Sequence, residues 1–366
     1  MMLPALRAAR LAGATVISEI ELFARHANAP IIAITGSNGK STVTTWLGYM
    51  AQCAGVDVAL GGNLGTPALE LLREPAPAFY VLELSSFQLE TTHGLNAAAA
   101  TVLNISADHM DRYHGLDDYV AAKRRVYQGD GVMVLDLDNP TMAEMRCADR
   151  RCVPFSLQSA PVDGFGIAEH AGTARIHAFG RPLLAVNELS LPGRHNAANA
   201  LAALALGHAM SLPESGMLEA LRTFRGLPHR TEWVGRAGCV DWYNDSKGTN
   251  VGATVAAIEG MDKPVVLIAG GDGKDADFGP LRPVLAQHGR AVVLIGRDAS
   301  RIESAVAGAV SVRRATDLRE AIQLAATLAK PDDVVLFSPA CASFDMFDDY
   351  EQRGECFRQL VRRWVL

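Results

Sequence analysis

The stretch AITGSNGKST, residues 33–42, decides how the rest of the chain is read. A β-branched run, IIAIT (31–35), stops at Gly36, and Gly39, Lys40 and Ser41 follow at the opening of a helical pattern. Glycines let backbone N–H groups approach phosphate oxygens closely, and a helix N-terminus behind them favours negative charge. Lys40 supplies a point charge for the outer phosphates, and the hydroxyl of Ser41 or Thr42 is placed to reach a magnesium ion. The spacing is G-x-x-G-K-S, shorter than the general G-x-x-x-x-G-K-[ST], and Ile34 stands where the first glycine would be. A Gly-rich turn without a ligand is the alternative. The strand before and the helix after favour a nucleotide.

Outward from this loop, β-branched runs alternate with helical patterns. IIAIT (31–35), FYVLELSS (79–86), ATVLNI (100–105) and GVMVLDLD (131–138) read as buried parallel strands, with helices at 40–55 and 116–128 between them. This rhythm predicts a parallel sheet covered on both faces. Residues 151–191 change character, and CVPFSL, GFGIAEH, ARIHAFG and PLLAVNELSL predict a small antiparallel sheet, followed by an Ala-rich helix at 194–211. A second series, TEWVGRA, VDWYND, PVVLIAGG, AVVLIG and VVLFSP, begins near residue 229 and predicts a second α/β domain of Rossmann type. GLPHR (226–230) carries the Gly and Pro of a hinge. The expected division is 1–29, 30–226 and 227–366.

The bulk properties narrow the classes of function. A chain with 49% hydrophobic and 20% charged residues and a net charge of -6 has no polyanion-binding footprint, so nucleic acid is not an expected partner. No apolar run reaches the roughly 18 residues of a membrane helix. The start, MMLPALRAARLAG, places its arginines after its apolar residues, the reverse of a secretory signal. The six cysteines are scattered without metal-type spacing, as expected of reduced thiols in a cytoplasmic protein.

Three further stretches carry chemistry. ELSSFQLE begins with Glu83 at a strand end, where a carboxylate can share magnesium with a nucleotide. DHMDRY puts Asp108, His109 and Asp111 just past the next strand, where sites in such sheets usually lie. YVAAKRRVY puts Lys123 on the following helix; a lone Lys there is ordinarily solvated.

Taken with GGNLGTPAL, GRHNAANALAAL, GLPHRTE, NDSKGTN, AGGDGK and SPACASFD, these stretches resemble, in order, the Mur ligase family, ATP-dependent enzymes that build the peptide stem of bacterial cell-wall precursors. The family's loop has the form G-[ST]-x-G-K-[ST], which accounts for Ile34. The pattern is similar to the member that adds glutamate to UDP-N-acetylmuramoyl-L-alanine.

The resemblance implies roles. Gly36, Ser37, Asn38, Gly39, Lys40, Ser41 and Thr42 would hold the ATP phosphates, with Asn196, Asn199, Arg230 and Asp245 elsewhere on the nucleotide. Ser41 and Glu83 would bind one magnesium ion and His109 a second, helped by Lys123 in carbamylated form; Lys40, His109 and Lys123 would be the catalytic set. Asn63, Ser85 and Gln88 would lie near the UDP-sugar-peptide, and Lys247, Thr249, Lys274, Ser343, Phe344 and Tyr350 near the incoming glutamate. The expected reaction passes through an acyl phosphate, with the hinge closing over the reactants to exclude water. The expected partners are these small-molecule substrates, and the expected state is a monomer.

Departures from the family pattern set further expectations. Residues 1–29 resemble only the end of a UDP-binding domain and its linker, so ligation by this chain is expected to be weak in substrate affinity or lost. Met346, Asp348, Asp349 and Tyr350 differ from the commoner residues, as does Gly248, where Ala is commoner. D-glutamate stays ahead of L-glutamate. The competing readings are a folylpolyglutamate-synthase-like ligase and a nucleotide-binding fragment without ligase activity.

Overall fold

The computed structural model describes residues 4–106, 112–170 and 172–365. The chain divides into two units: one runs through Pro192 and resumes at Asn196–Arg225, the other holds Gly193–His195 and Gly226 onward.

The first unit opens with helices α1 (Pro4–Leu11) and α2 (Glu19–His26). Strand β1 (Ile31–Thr35) leads into α3 (Lys40–Cys53), then β2 (Val58–Gly62), β3 (Phe79–Glu83), α4 (Ser86–Glu90) and β4 (Ala99–Val102). Next come α5 (Leu116–Arg124), β5 (Val132–Asp136), α6 (Pro140–Ala143), β6 (Cys152–Ser156), β7 (Phe165–His170), β8 (Thr173–Ala178) and β9 (Arg181–Ala185), before α7 (Arg194–Ala209) and α8 (Glu214–Thr223). The strands form one nine-stranded sheet in the order β2-β3-β1-β4-β5-β6-β7-β8-β9. Side chains alternate across it: Ile32 and Ile34 of β1 pack with Trp46, Leu47 and the Ala-rich face of α7, while Ile31 and Ala33 pack with Ile20 and Phe23 of α2.

Three details depart from the sequence expectation. The strand expected over 79–86 stops at Glu83, because Ser85 caps α4: its Oγ accepts from Gln88 N at 3.2 Å while Gln88 Oε1 accepts from Ser85 N at 2.9 Å. The antiparallel strands do not form a sheet of their own. β6 pairs parallel to β5, and β7 parallel to β6, so only β7-β8-β9 is an antiparallel extension of the main sheet. Pairing onto β5 gives the edge of the parallel sheet a partner, which a separate sheet would leave open. Finally, α2, assigned with the linker, is part of this unit's core. Its Phe23 ring meets Tyr80 edge-on at 5.0 Å, and buried Glu21 accepts from the N–H groups of His93 and Gly94 at 2.7 and 2.6 Å.

The second unit contains β10 (Glu232–Ala237), β11 (Val240–Asn244), α9 (Val251–Glu259), β12 (Val265–Gly270), α10 (Leu281–His288), β13 (Gly289–Ile295), α11 (Ala299–Ala305), β14 (Ser311–Arg314), α12 (Leu318–Leu328), β15 (Val334–Phe337) and α13 (Tyr350–Trp364). Its six strands order as β10-β11-β15-β12-β13-β14, parallel apart from the β10–β11 hairpin. Val265, Leu267 and Ala269 face α9, α10 and α11, and Val266 and Ile268 face α12 and α13, giving a helix layer on each side. Among the described residues no helix is long and apolar enough to cross a membrane.

Candidate active site

In the first unit β1 lies between β3 and β4, the point where successive strands go to opposite sides, and ligands of such sheets bind at the C-terminal ends there. The loop 36–39 occupies that place. Gly36 has φ 151° and Gly39 φ 80°. A Cβ on Gly39 would stand 2.5 Å from Asn199 Oδ1, and one on Gly36 3.1 Å from Leu103 Cβ, so both positions need glycine for conformation and for space.

The loop is held from the β4 side. Asn104 brackets Asn38, its Oδ1 accepting from Asn38 N at 2.8 Å and its Nδ2 donating to Asn38 O at 3.0 Å. Ser37 Oγ donates to Ser106 O at 3.0 Å and lies 3.2 Å from the Tyr119 hydroxyl. Lys40 Nζ folds back to donate to the carbonyls of Gly36 and Ser37, each at 2.9 Å. Ser41 and Thr42 are buried in the first turn of α3.

Lys123 is not the solvated lysine its helix suggests. It is 2% exposed, with Nζ donating to Gly36 O at 2.8 Å and lying 4.6 Å from the centre of the Tyr119 ring. Its Nζ also reaches Thr35 Oγ1 at 3.4 Å, and that hydroxyl donates to Leu84 O at 2.7 Å, the carbonyl next to Glu83. Glu83 is buried at the end of β3. Its Oε1 accepts from Asn63 Nδ2 at 3.0 Å, and its Oε2 has no hydrogen-bond partner among the described residues. A buried, unpaired carboxylate oxygen beside a phosphate-type loop is what a divalent cation requires of a ligand. His109, with Asp108 and Asp111, lies outside the described residues, and no group of three metal-ligating side chains occurs among the described ones.

Ser85 and Gln88, expected near the UDP-sugar-peptide, are joined to each other in the α4 cap, and Asn63 is joined to Glu83. Asn196 Nδ2 donates to Pro192 O at 2.8 Å, and Asn199 lies against Gly39. Asn104 and Tyr119 were not picked out from sequence. A polar residue closing a buried strand run, as Asn104 does in ATVLNI, was the available signal.

In the second unit the remaining residues gather at the C-terminal ends of β11, β15 and β12. Asp245 is buried, with Oδ1 accepting from Thr231 N at 3.1 Å and Oδ2 from Ser338 Oγ at 2.7 Å. Burial pushes its carboxyl up to about 6, against the pull of Ser338, Thr231 and the Arg230 charge. Lys247 Nζ stands 3.6 Å from the centre of the Tyr350 ring, and Lys274 Nζ 5.8 Å from that of Phe344. Ser343 is buried, Phe344 is 66% exposed, and Thr249 is exposed.

Arg353, also missed from sequence, braces these loops from α13. Fully buried, it donates to Ser246 Oγ at 3.0 Å, Ser246 O at 2.8 Å and Cys341 O at 3.1 Å. Burial lowers its guanidinium to about 10.

A family model described as the Mur ligase middle domain matches residues 34–207, and one described as the Mur ligase glutamate ligase domain matches residues 229–341. The UDP-N-acetylmuramoylalanine--D-glutamate ligase of Nitrosococcus oceani is 56% identical over 98% of this chain and 80% of its own length. The ligase of that name from Pseudomonas fluorescens is 53% identical over 98% of this chain and 81% of its own. Among solved structures, MurF from Acinetobacter baumannii shares the fold with a TM-score of 0.71 at 20% identity, covering 92% of this chain and 78% of that one. With half its residues shared over nearly its whole length, and both domain models matched in order, the chain belongs to the Mur ligase family.

Proposed function

We propose that this protein is an ATP-dependent amide ligase that joins glutamate, in the D form, to the carboxylate of UDP-N-acetylmuramoyl-L-alanine. The observation that carries the reading is the 56% and 53% identity, over 98% of the chain, to two enzymes named for that reaction.

In the first step a carboxylate oxygen of the acceptor forms a bond to the γ-phosphorus of ATP as the β–γ bridging bond breaks, releasing ADP and leaving an acyl phosphate. Lys40, released from the Gly36 and Ser37 carbonyls, meets the charge on the transferring group, and the N–H groups of the glycine loop hold the phosphates. The amine of glutamate then attacks the acyl carbon, losing its proton as the amide bond forms and inorganic phosphate departs. No side-chain nucleophile is needed, so the residues act by positioning. In the second unit Lys274, with Lys247, Ser343 and the backbone near Phe344, holds the glutamate carboxylates, while Tyr350 forms the wall against Lys247.

Glu83 and Ser41 would hold a magnesium ion, which when bound spreads the charge of the transferring phosphoryl group. We assign the family's carbamylated lysine to Lys123, where the ammonium first gives up a proton, CO2 then adds to the free ε-amine with loss of a second proton, and a cation becomes an anionic ligand. Labelling with 13C-bicarbonate tests this directly: a carbamate resonance is expected in the wild type and not in Lys123→Arg.

Phosphate release from ATP, run with UDP-N-acetylmuramoyl-L-alanine and either D- or L-glutamate, tests the whole reading. Release that depends on the D enantiomer is the expected result. Release with L-glutamate alone would overturn the stereochemical assignment, and silence with both would overturn the activity.

A further inference from the structure

Lys274, the residue assigned above to a glutamate carboxylate, and its neighbour Asp275 are consecutive residues in the left-handed backbone region, at φ 46° and 60°. Residues with side chains are disfavoured there and stay only where their surroundings over-determine them. The contacts that do so are specific. Asp298 Oδ2 accepts from Gly273 N at 2.7 Å, and Asp272 Oδ1 accepts from Lys274 N at 3.1 Å. The other oxygen of Asp272 accepts from Arg297 Nη1 at 3.0 Å.

Arg297 also reaches the second loop of the pocket. Its backbone N–H donates to Asp345 Oδ2 at 2.9 Å, in the SPACASFD segment just after Ser343 and Phe344. Asp272 N and O pair with Ala342 O and N at 3.0 and 2.8 Å, so the two loops are already in register at the backbone. What the backbone pairing leaves undetermined is the direction of the Asp272 carboxylate, and with that carboxylate turned toward Lys274 N the amide of Lys274 itself is held, alongside the Gly273 N–Asp298 and Ala276 N–Gly273 O bonds of the same turn.

We propose that Arg297 is a positioning residue for amino-acid selection: it fixes Asp272, and through Asp272 the turn that presents Lys274 to glutamate beside Ser343. This rests on the reading of Lys274 as a glutamate ligand. Arg297 is 63% exposed, and an ion pair that open to water adds little to global stability. Its effect should therefore appear in glutamate binding and not in unfolding.

The test uses the full chain with Arg297→Met, Arg297→Lys, Lys274→Met and the Arg297→Met/Lys274→Met pair. The readouts are KM for glutamate and for ATP in phosphate release, Kd for glutamate by calorimetry with ADP and acceptor present, and Tm. Arg297→Met is expected to raise KM and Kd for glutamate about threefold to fivefold, the range such a pair supplies, with KM for ATP unchanged and Tm moved by less than about 2 °C. Arg297→Lys should recover most of the loss, since one donor to Asp272 Oδ2 suffices. Lys274→Met should lose about tenfold or more, and the double variant no more than Lys274→Met alone. If Lys274→Met weakens glutamate and Arg297→Met does not, the proposal is refuted and the Lys274 assignment stands. If Lys274→Met leaves glutamate binding intact, or the wild type gives no glutamate-dependent signal by either readout, the assignment beneath it fails.

Discussion

Replacing Asp245 by Asn should stabilise the protein at neutral pH and leave it unchanged in acid. The carboxyl is held at about 6 by burial, against an ordinary 3.8. A group raised on folding contributes its stabilisation fully below the unfolded value, and that contribution is lost as pH rises toward the folded one. Here the loss begins near pH 4, is about half complete near pH 5 and is complete by about pH 7. Once ionised, the buried carboxylate costs about 3 kcal/mol relative to a neutral group in the same place.

The surroundings accept an amide. The Asn carbonyl can take the Thr231 N–H, and its NH2 can donate to Ser338 Oγ, because Ser338 has an alternative acceptor in Thr254 Oγ1 at 2.9 Å. For a unit of this size about 3 kcal/mol corresponds to a Tm gain of roughly 6–12 °C. Thermal or urea unfolding of Asp245→Asn and wild type between pH 4 and pH 8 should give curves that nearly coincide at pH 4 and separate progressively between pH 4 and pH 7. A separation independent of pH, or a variant less stable than wild type at pH 8, would refute the burial argument. Activity should fall at the same time. A carboxylate kept at such cost, in a cluster with Arg230 and Thr231, is a group retained for function, and the trade of stability for activity follows.

Lys40→Met should lower kcat by about 10²–10³-fold with little change in unfolding midpoint, as expected of a charge that acts on the transferring phosphoryl group; a variant keeping a tenth of the rate would remove Lys40 from that role. Glu83→Gln preserves the acceptor for Asn63 and removes the unpaired anionic oxygen, so the magnesium concentration giving half-maximal turnover should rise about tenfold or more. An unchanged magnesium titration would place the metal elsewhere. Gly39→Ala forces a side chain to φ 80° and to 2.5 Å from Asn199 Oδ1; a loss of about 1–2 kcal/mol from the backbone alone is expected, with weaker ATP binding on top. Arg353→Met leaves Ser246 O and Cys341 O without their buried donor and should cost about 3 kcal/mol in urea unfolding. A cost below ~1 kcal/mol would show that water replaces the guanidinium.

What was legible in the sequence was whatever chemistry resides in the backbone or in a local pattern. The glycine loop is of this kind, since its function is carried by φ angles and N–H groups, and so are the buried strands β1, β5, β12 and β13. Strand β2, Val58–Gly62, was missed because two of its five residues are glycines of low strand propensity. Their need is tertiary: a Cβ on Gly61 would stand 2.2 Å from Thr66 O, and one on Gly62 2.5 Å from Glu83 O. Strand β14, Ser311–Arg314, is a mostly exposed edge with no apolar alternation to mark it. Arg353 was invisible among the arginines of α13, although Phe357 and Val361, four and eight positions on, are both buried and put it on the core-facing stripe.

Lys123 shows why such positions matter. Tyr119 and Ala122 of α5, with Val126 in the turn just past its end, define the buried face around it, so the same periodicity that marks the core already places the lysine inside. A cation on a core-facing position is costly unless its surroundings answer it, and apolar side chains of similar size would serve packing better. Here the partners it reaches are Gly36 O of the phosphate loop and Thr35, which are 87 and 88 residues away in sequence and adjacent only because β1 and α5 meet at the sheet's C-terminal edge. Asp245 in the second unit repeats the pattern with the opposite charge. In both units, then, an ionisable group that weakens the core stands beside the loops proposed to hold substrate. Stability alone would have selected an apolar residue at each position, and the reaction supplies the reason for a charge.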